Sequence, residues 1–373
     1  MPQSKELLHP RILWDMTFAA KSLTGTRIYA QKMFDALSTL DTVSVNQVSA
    51  LSNMPPEKTG HLFTGIQNVW WQQIQLPRLA QIQHADLIHA SAYLGPLHPP
   101  CPLIVNVLDT TFLEFPADFD WKWRMYARFL IPPTIRRAAA LITLSEYSRR
   151  AIARAYSISS QRIRVVYPGI SSEFHPTTDA DTILEVRERY QLPTDYILFV
   201  GAQEPRKNIP AVIAALAQCR AVFPTLALVL VGPRSSDSAA IQRTVSEFGL
   251  NHAVHDLGFV PQNDLPAIYS AARALVYASR LEGFGMPPLE AMACGVPVIA
   301  VPNPPLPEVL DDAALWTDND NPNALAAAVV RVLSDAKLSE KLRQRGMNHA
   351  RKFSWERAAQ ETLGLYREVL AKL

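Results

Sequence analysis

The plainest indication of fold is Arg280–Val298, RLEGFGMPPLEAMACGVPV. It follows Ala274–Ala278, a short apolar run with the length of a buried strand. The small residues of Glu282–Gly285 would let a backbone approach a ligand closely, and Pro287 and Pro288 suit the opening turn of a helix. A strand, a glycine-containing loop and a helix in this order are typical of a doubly wound parallel sheet, which binds its ligands where the strands end.

The same alternation of short apolar runs and longer amphipathic segments continues along the chain. Helical periods occur, for example, at Pro210–Ala221 and Asn323–Leu333. Six runs in each half predict strands: Arg11–Met16, Val43–Leu51, Ala85–Ala90, Leu103–Asp109, Ala140–Leu144 and Ile163–Tyr167, then Tyr196–Gly201, Leu226–Gly232, Val254–Phe259, Ala274–Ala278, Pro297–Val301 and Ala314–Thr317. Strands that alternate with helices favour parallel sheets with crossover helices. Two sets of strands therefore predict an α/β protein with two doubly wound domains.

The boundary between the two sets is predicted at Tyr167–Thr178, YPGISSEFHPTT, which is rich in proline and hydroxyl residues and has no helical period. We therefore expect one domain over residues 1–172 and another over 178–353. The segment after Leu338 is expected to form two helices that are broken near Ser354. Ser354 can cap the last of them, although Arg357 replaces the Glu of a complete capping box.

Composition excludes several classes of protein. Of the 373 residues, 48% are hydrophobic and 19% are charged, which argues against a disordered chain. A net charge of +2 is too small to suggest a nucleic acid as partner. The three cysteines are far apart in the sequence and favour reduced thiols over a zinc site. Since no apolar stretch approaches the ~20 residues that cross a bilayer, we expect a cytoplasmic protein that at most lies on a membrane surface.

The segment after Ala278 also carries candidate binding groups. The helix that opens at Pro287 would favour an anion such as a diphosphate at its N-terminus. Glu282 lies in the loop, and Glu290, eight residues later, is expected in the first turn of the helix. Carboxylates are strong acceptors for paired hydroxyl groups, which sugars and ribose both present. The segment thus favours a site for a sugar joined to a nucleotide.

The residues EGFGMPPLE, followed by ACGVPV, resemble the E-x7-E signature of the family-4 retaining glycosyltransferases. The resemblance implies a GT-B fold, in which two Rossmann-like domains face a cleft. It also implies that Glu282 contacts the hydroxyls of the donor sugar and that Glu290 binds the ribose of the nucleotide. The sugar and diphosphate would be held by the amides of the loop between them, contributed by Gly283, Phe284, Gly285 and Met286.

A second segment, Val200–Ile209, places Arg206 and Lys207 at the start of a helix that follows a strand. Two cations there would neutralise a diphosphate and stabilise its departure. The segment PRKN also resembles an element of the same family. Many relatives carry an arginine where this chain has Ala202, so Arg206 would have to supply the guanidinium. We expect Lys207 and Arg206 to be catalytic together with Glu282.

Further stretches extend the resemblance along the chain. Leu257–Tyr269 resembles the element whose backbone, near Val260, frames the nucleobase. Ile163–Ile170 resembles the exit into the interdomain linker. Phe353–Leu370 resembles the terminal helix that crosses back to the first domain, which would add residues 354–373 to that domain.

The first half departs from the family pattern at two places. Gly25 is kept in the first loop, LTGTRIY, but Arg27 stands where a second glycine is common. After the fourth predicted strand, Asp109 is kept as a candidate catalytic residue near the donor sugar, but Leu108 replaces the usual histidine. These departures leave open a non-catalytic partner protein that binds a nucleotide sugar. A second alternative is a sugar-nucleotide epimerase on the same fold, which would need acid/base residues at the sugar, where the sequence offers carboxylates but no histidine near Asp109.

We favour a retaining hexosyltransferase of glycan or glycolipid biosynthesis. The segment GFGMPP is common among mannosyltransferase-like relatives. This resemblance suggests GDP-mannose as the donor. The acceptor would be a glycan or a lipid-linked glycan. We expect no cofactor and no metal, because the protein itself supplies the cations Arg206 and Lys207.

Three other features have ordinary interpretations. Asp318-Asn319-Asp320 resembles a D-x-D metal motif, but it precedes a helix that such residues can cap. His252 and His255 lack a neighbouring carboxylate cluster. Asp120–Arg137 mixes aromatic residues with five basic ones. It is either an interfacial helix at the inner face of a membrane or, as we favour, a surface helix whose Trp and Phe side chains face the core.

Overall fold

The computed structural model describes residues 9–19, 25–50, 67–119 and 121–372, without the side chains of Ala117, Lys122 and Tyr126. The chain divides into two compact units. The first comprises residues 1–169 and 354–373, and the second comprises residues 170–353.

The described residues form twelve strands and a larger number of helices. The strands are β1 Arg11–Asp15, β2 Ser44–Val48, β3 Leu87–Ala90, β4 Leu103–Asn106, β5 Ala140–Thr143, β6 Ile163–Val165, β7 Tyr196–Val200, β8 Ala227–Val231, β9 Val254–Gly258, β10 Ala274–Tyr277, β11 Val298–Ala300 and β12 Leu315–Trp316. The main helices are α1 Gly25–Ser38, α2 Leu76–Ile82, α3 Thr111–Glu114, α4 Trp121–Arg137, α5 Glu146–Tyr156, α6 Ala180–Tyr190, α7 Ile209–Cys219, α8 Ser238–Glu247, α9 Leu265–Ser270, α10 Met286–Ala293, α11 Leu306–Leu310, α12 Pro322–Ser334, α13 Ala336–Ala350 and α14 Trp355–Leu370. Each of the twelve predicted runs contains one of these strands.

The first unit is built on a six-stranded parallel sheet in the order β2-β1-β3-β4-β5-β6. Every residue of β3, β4 and β5 is buried, because helices cover both faces of such a sheet. This is why each of these strands is a continuous apolar run in the sequence.

The terminal helix α14 is tied to this sheet by a buried polar chain. His89 of β3 is fully buried, with Nδ1 2.6 Å from the Tyr366 hydroxyl of α14 and Nε2 2.8 Å from Oδ1 of Asn106 on β4. Burial lowers the pKa of His89 to about 4, so the ring is neutral at physiological pH. The Ser354 hydroxyl accepts a hydrogen bond from the Arg357 amide, which confirms the predicted N-cap.

The second unit holds a six-stranded parallel sheet in the order β12-β11-β10-β7-β8-β9. Counted from its own first strand, this is the Rossmann order, in which the winding direction reverses between the first and fourth strands. Those strands are β7 and β10, which are directly paired. Ligands of doubly wound sheets bind at the carboxyl ends of the strands beside such a reversal. The loops that follow β7 and β10 are therefore the expected ligand loops.

Helix α4 corrects one interpretation from the sequence. Trp123 does pack inward, with its ring 6.0 Å from that of Tyr93. Trp121 and Phe129, however, are 63% and 61% exposed. The expectation that the Trp and Phe side chains of this helix face the core is therefore wrong for Trp121 and Phe129. The physical reason is the helical period. Ala127, like Trp123, lies on the buried face, while positions 121, 125 and 129 fall on the opposite one.

Gly232, which directly follows β8, provides a test of how closely the ends of β7 and β8 approach each other. Its φ is +136°, and a Cβ atom there would lie 2.2 Å from the Gly201 carbonyl oxygen. We expect Gly232→Ala to lower the free energy of unfolding by about 2–4 kcal/mol, because backbone must move and a positive φ is strained. Gly249→Ala is the control: its φ is +65°, but no atom lies within 4 Å of the added carbon. It should cost only about 1 kcal/mol. Denaturant titrations measure both variants. Equal losses in the free energy of unfolding would contradict the close approach of Gly232 to Gly201.

Candidate active site

Two loops of the second unit come together beside the β7/β10 reversal. The loop after β7 leads through Gly201 into the turn Pro205–Lys207 and then α7. The loop after β10 leads into α10. A backbone hydrogen bond of 2.8 Å, from the Arg280 amide to the Arg206 carbonyl, joins the two loops. The basic pair and the first glutamate of the sequence motifs thereby become neighbours in space.

A buried ionic cluster lies at this junction. Lys207 donates to Oε1 of Glu282, and Nη1 of Arg206 lies 3.1 Å from Oε2 of the same carboxylate. Glu282 is only 7% exposed. Its burial alone would raise the pKa, but the charges of Lys207 and Arg206 outweigh that effect and hold the pKa of Glu282 at about 2. The carboxylate is therefore ionised throughout the physiological range.

Tyr277, the last residue of β10, completes the cluster. Its hydroxyl donates to Oε1 of Glu282 at 2.8 Å and accepts from Nζ of Lys207 at 3.1 Å. Burial lowers the pKa of Lys207, and the Glu282 charge opposes that shift. Tyr277 was not predicted from the sequence, although its place at the carboxyl end of a central strand beside the motif could have indicated it.

Arg206 is held on several sides. Besides Glu282, its guanidinium contacts Glu204, with a nitrogen–oxygen distance of 2.6 Å, and donates to the Leu281 carbonyl at 3.0 Å. Its side chain is 15% exposed. Arg206 therefore has a fixed orientation between the two loops, and Lys207 lies on the more deeply buried side of the same carboxylate.

Helix α10 begins at Met286, with Gly285 as its N-cap at a φ of +107°. A Cβ atom on Gly285 would lie 2.7 Å from Cδ2 of Leu306, so a side chain is disfavoured by both conformation and space. Because the helix starts at Met286, Glu290 is its fifth residue and lies in the second turn. The expectation of a first-turn glutamate is therefore wrong.

Glu290 is partly buried and has a different environment from Glu282. Its Oε2 accepts a hydrogen bond of 2.9 Å from the Tyr269 hydroxyl of α9. Burial raises the pKa of Glu290 to about 7; the Tyr269 bond opposes this shift, and the Glu173 charge adds to it. Its carboxyl group therefore changes charge near neutral pH.

The remaining predicted donor residues of this unit also follow strands of its sheet. Phe284 is buried, with its ring 5.8 Å from that of Phe353, so it offers its backbone rather than its side chain. Gly283 precedes it in the same loop. Val260 is buried just after β9, while its neighbour Phe259 is exposed. Their contacts with a donor stay predictions.

In the first unit, Asp109 follows β4. Its Oδ1 accepts from the Thr111 amide at 3.1 Å, from the Thr111 hydroxyl at 2.8 Å and from the Tyr93 hydroxyl at 3.2 Å. The carboxylate thus anchors the start of α3. Leu108, in the place of the histidine that relatives often carry, is buried.

Gly25 is the first residue of α1, and Arg27 is exposed on the same helix. A Cβ atom at Gly25 would meet nothing within 4 Å, so packing within the described residues does not require glycine there. Leu23 and Thr24 of the predicted loop lie outside the described residues.

The D-x-D-like segment makes contacts within the protein. Oδ2 of Asp320 accepts from Asn208 at 3.2 Å and pairs with Arg280, whose Nε lies 3.4 Å away. Asn321 caps α12 through its bond from the Ala324 amide. Among the residues that the structure describes, no group of three or more His, Cys, Asp or Glu side chains could hold a metal ion.

Comparison with known proteins decides the family. Residues 48–174 match the family model described as Glycosyltransferase Family 4, and residues 184–349 match the model described as Glycosyl transferases group 1. The chain belongs to glycosyltransferase family 4. The resemblance of its EGFGMPPLE segment is thereby confirmed.

Relatives of this family-4 chain include the O-antigen chain mannosyltransferase B of Escherichia coli, which is 36% identical over 235 residues. That alignment covers 62% of this chain and 61% of the relative, so the matched part is less than two thirds of the relative's length.

Solved structures resemble the whole described fold. Sucrose-phosphate synthase from Thermosynechococcus elongatus has a TM-score of 0.77 at 22% identity, with 98% of this chain and 100% of that chain covered. Anabaena Alr3699/HepE in complex with UDP and glucose has a TM-score of 0.72 at 19% identity, with 96% and 100% covered. The predicted GT-B fold, with two Rossmann-like parallel-sheet domains, is confirmed.

The ionic cluster of this glycosyltransferase gives a stability test. At pH 7, we expect Glu282→Gln to lower the free energy of unfolding by about 3 kcal/mol, because Lys207 and Arg206 lose their buried counter-charge. The low pKa of Glu282 means that its contribution is present above the ordinary value of 4.5 and is lost as pH falls towards 2. The difference between variant and wild type should therefore shrink over that range.

The control for this test is Glu185→Gln, which removes the charge of an exposed ion pair with Arg189. It should change stability by no more than about 0.5 kcal/mol. Urea titrations at several pH values measure both variants. A loss for Glu282→Gln that is as small as the control's would show that the buried charges are not mutually dependent.

Proposed function

We propose that this chain transfers a hexose from a nucleoside diphosphate sugar to a hydroxyl acceptor, with retention of the anomeric configuration. The observation that carries the proposal is the buried cluster of Lys207, Arg206 and Glu282 at the strand-order reversal, one loop away from the N-terminus of α10. Oriented cations and helix amides stabilise a departing diphosphate. A buried carboxylate that is always ionised accepts hydrogen bonds from sugar hydroxyls.

Each part of the site then has a role. Lys207 and Arg206 stabilise the negative charge that the diphosphate gains as the bond from the anomeric carbon to its oxygen breaks. Glu282 orients the sugar, and the amides of Gly283–Met286 hold the sugar and diphosphate. Glu290 accepts from the ribose. Val260 frames the base through its backbone, while Asp109 and Gly25 stay predictions from the sequence.

The reaction must also move one proton. The acceptor hydroxyl forms the new bond to the anomeric carbon and loses its proton, while the diphosphate leaves with the electron pair of the broken bond. Retention places the acceptor on the face from which the diphosphate departs. The departing phosphate oxygen can therefore take the proton, and the proposal needs no protein base, no metal and no cofactor.

The sugar and the acceptor are proposed from relatives. The Escherichia coli relative is named for mannosyl transfer to an O-antigen chain, which supports GDP-mannose as donor and a glycan or lipid-linked glycan as acceptor. Anabaena HepE, in contrast, was solved with UDP and glucose. The base and the sugar of the donor must therefore be tested separately.

The test is nucleoside diphosphate release and product formation with a panel of GDP- and UDP-sugars, in excess EDTA. We expect turnover with one donor, and a loss of about 10²–10³-fold in kcat for Lys207→Ala, as for other removed transition-state contacts. Lys341→Ala, which removes an exposed lysine of α13, should retain full activity.

The other outcomes separate the alternatives. Donor binding with no turnover would favour the non-catalytic partner protein, and an altered sugar with no diphosphate release would favour the epimerase. Activity that EDTA abolishes and a divalent ion restores would contradict the metal-independent mechanism.

We further propose that the exposed face of α4 lies on an anionic membrane surface. Trp121, Met125 and Phe129 are spaced four residues apart and are all exposed; we call them the α4 stripe. Four-residue steps advance about 40° around a helix, so the stripe occupies one face. Arg124 and Arg128 are exposed beside it. Aromatic and apolar groups flanked by basic residues are typical of helices that lie in a lipid interface.

Charge favours lipid over a second copy of the chain as the partner of this face. Trp121–Arg137 holds five basic residues and no acidic one. A symmetric contact between two copies would bring these like charges together, whereas anionic headgroups would neutralise them. Within the described ranges, no helix combines the length and hydropathy needed to cross a bilayer.

Vesicle sedimentation tests the membrane proposal. We expect the protein to bind vesicles that contain phosphatidylglycerol more tightly than pure phosphatidylcholine vesicles. Trp121→Ser with Phe129→Ser should weaken binding about 10-fold or more, because two large apolar groups no longer enter the interface. Phe248→Ser, which removes an exposed aromatic residue of the second unit, is the control. Equal vesicle binding by the Trp121→Ser/Phe129→Ser double variant and the Phe248→Ser control would contradict the proposal. So would a dimer of the wild type that only the double variant fails to form.

A further inference from the structure

Two tyrosines to which the sequence assigned no role each hold one of the two motif glutamates, Glu282 of the loop and Glu290 of α10. Tyr277 and Tyr269 are both fully buried. The hydroxyl of the first donates to Glu282, and that of the second donates to Glu290. We infer that Tyr277 and Tyr269 are positioning residues, one for each glutamate. The inference rests on the proposed function, because it assumes that the two carboxylates meet different parts of one donor.

Tyr277 fixes the geometry of the ionic cluster. Its ring stacks on Phe199 at a centroid distance of 6.1 Å with an interplanar angle of 15°, which limits its rotation. Its hydroxyl then contacts both Oε1 of Glu282 and Nζ of Lys207.

An ammonium group has three donors, and two of those on Lys207 go to the carboxylate and this hydroxyl. Tyr277 thereby fixes the direction in which the third proton of Lys207 points. In the proposed reaction that proton faces the diphosphate as it departs, so Tyr277 acts through Lys207 and Glu282 on the chemical step.

Tyr269 acts on the other end of the donor. Its ring packs edge-on against Phe174, with 6.0 Å between centroids, and its hydroxyl reaches Oε2 of Glu290. The titratable groups that influence Glu290 come from three neighbouring segments as well as its own helix: Tyr269 of α9, Glu173 before α6, Tyr277 of β10 and Cys294 just after α10.

The Tyr269 bond keeps the charged form of Glu290 available. Burial raises the pKa of Glu290 to about 7, and this hydrogen bond lowers it from a still higher value. An ionised carboxyl group accepts from both ribose hydroxyls, whereas a protonated one has lost part of its acceptor capacity. Nucleotide affinity should therefore rise as pH increases through the pKa of Glu290. Without the tyrosine hydroxyl, the same rise should occur at higher pH.

A third buried tyrosine supplies a matched control. Tyr196 of β7 is also fully buried, but its hydroxyl donates to the Ile268 carbonyl at 2.6 Å and contacts neither glutamate. Tyr196→Phe removes one buried hydroxyl from the same unit, as Tyr277→Phe and Tyr269→Phe do. It therefore measures what the loss of such a bond does to the fold alone.

The experiment measures GDP and UDP binding by calorimetry between pH 5.5 and 8.5, and donor kinetics for wild type and the three variants. Tyr269→Phe should weaken nucleotide binding at pH 7 by about 5-fold or more, in line with the loss of a hydrogen bond to a charged group. It should also move the midpoint of the pH dependence upward and recover most of the affinity at pH 8.5. Its kcat should change little.

Tyr277→Phe should give the opposite pattern. We expect kcat to fall about 10-fold or more, with the KM for the donor within about 2-fold of wild type, because the contact that it directs strengthens in the transition state. Tyr196→Phe should leave the pH midpoint, kcat and KM unchanged, whatever it does to the melting temperature.

The outcomes distinguish the roles of the two tyrosines from the proposed function. If wild type binds GDP or UDP and either functional variant matches Tyr196→Phe, the role of that tyrosine is refuted while the proposed donor site stands. If wild type binds neither nucleotide at any pH, the proposed function fails and the inference fails with it.

Discussion

The buried ion pair between Lys207 and Glu282 is the constraint on which the second unit depends. Each charge would be costly to bury alone, and each is tolerated because the other is close. The two residues are 75 positions apart in the sequence. They meet because the strand order places β7 beside β10, so that the loops after these two strands lie next to each other. The fold and the cluster therefore stabilise each other, and neither can be changed independently.

The sequence predicted the strands well for a physical reason. Strands of a parallel sheet covered on both faces are buried throughout, so Tyr196–Val200 and Ala227–Val231 appear as uninterrupted apolar runs. The motif residues could be placed because each follows such a run. The partners of those residues could not. Tyr277 looks like one more strand residue, and only the folded chain shows that its hydroxyl joins Glu282 to Lys207.

Boundaries and faces of helices were less predictable. Prolines suit the opening turn of α10, but the start at Met286 is set by the conformation of Gly285 and by the close packing of Leu306, which lies 21 residues further along. In α4 the sequence shows two tryptophans two positions apart, which must point to nearly opposite sides of a helix. Which of them turns inward depends on the position of Tyr93, and this is tertiary information.

The two glutamates of the proposed donor site lie in contrasting environments. Glu282 lies among cations and is always charged, whereas Glu290 lies beside a tyrosine and near Glu173 and titrates around pH 7. The cluster contains two cations, Lys207 and Arg206, and two carboxylates, Glu282 and Glu204, so its formal charge is zero. A diphosphate would therefore meet oriented donors rather than a net positive charge. Its attraction to the site must come from the direction of those donors, together with the amides at the start of α10. This is why the orientation of each donor matters more here than the number of basic residues.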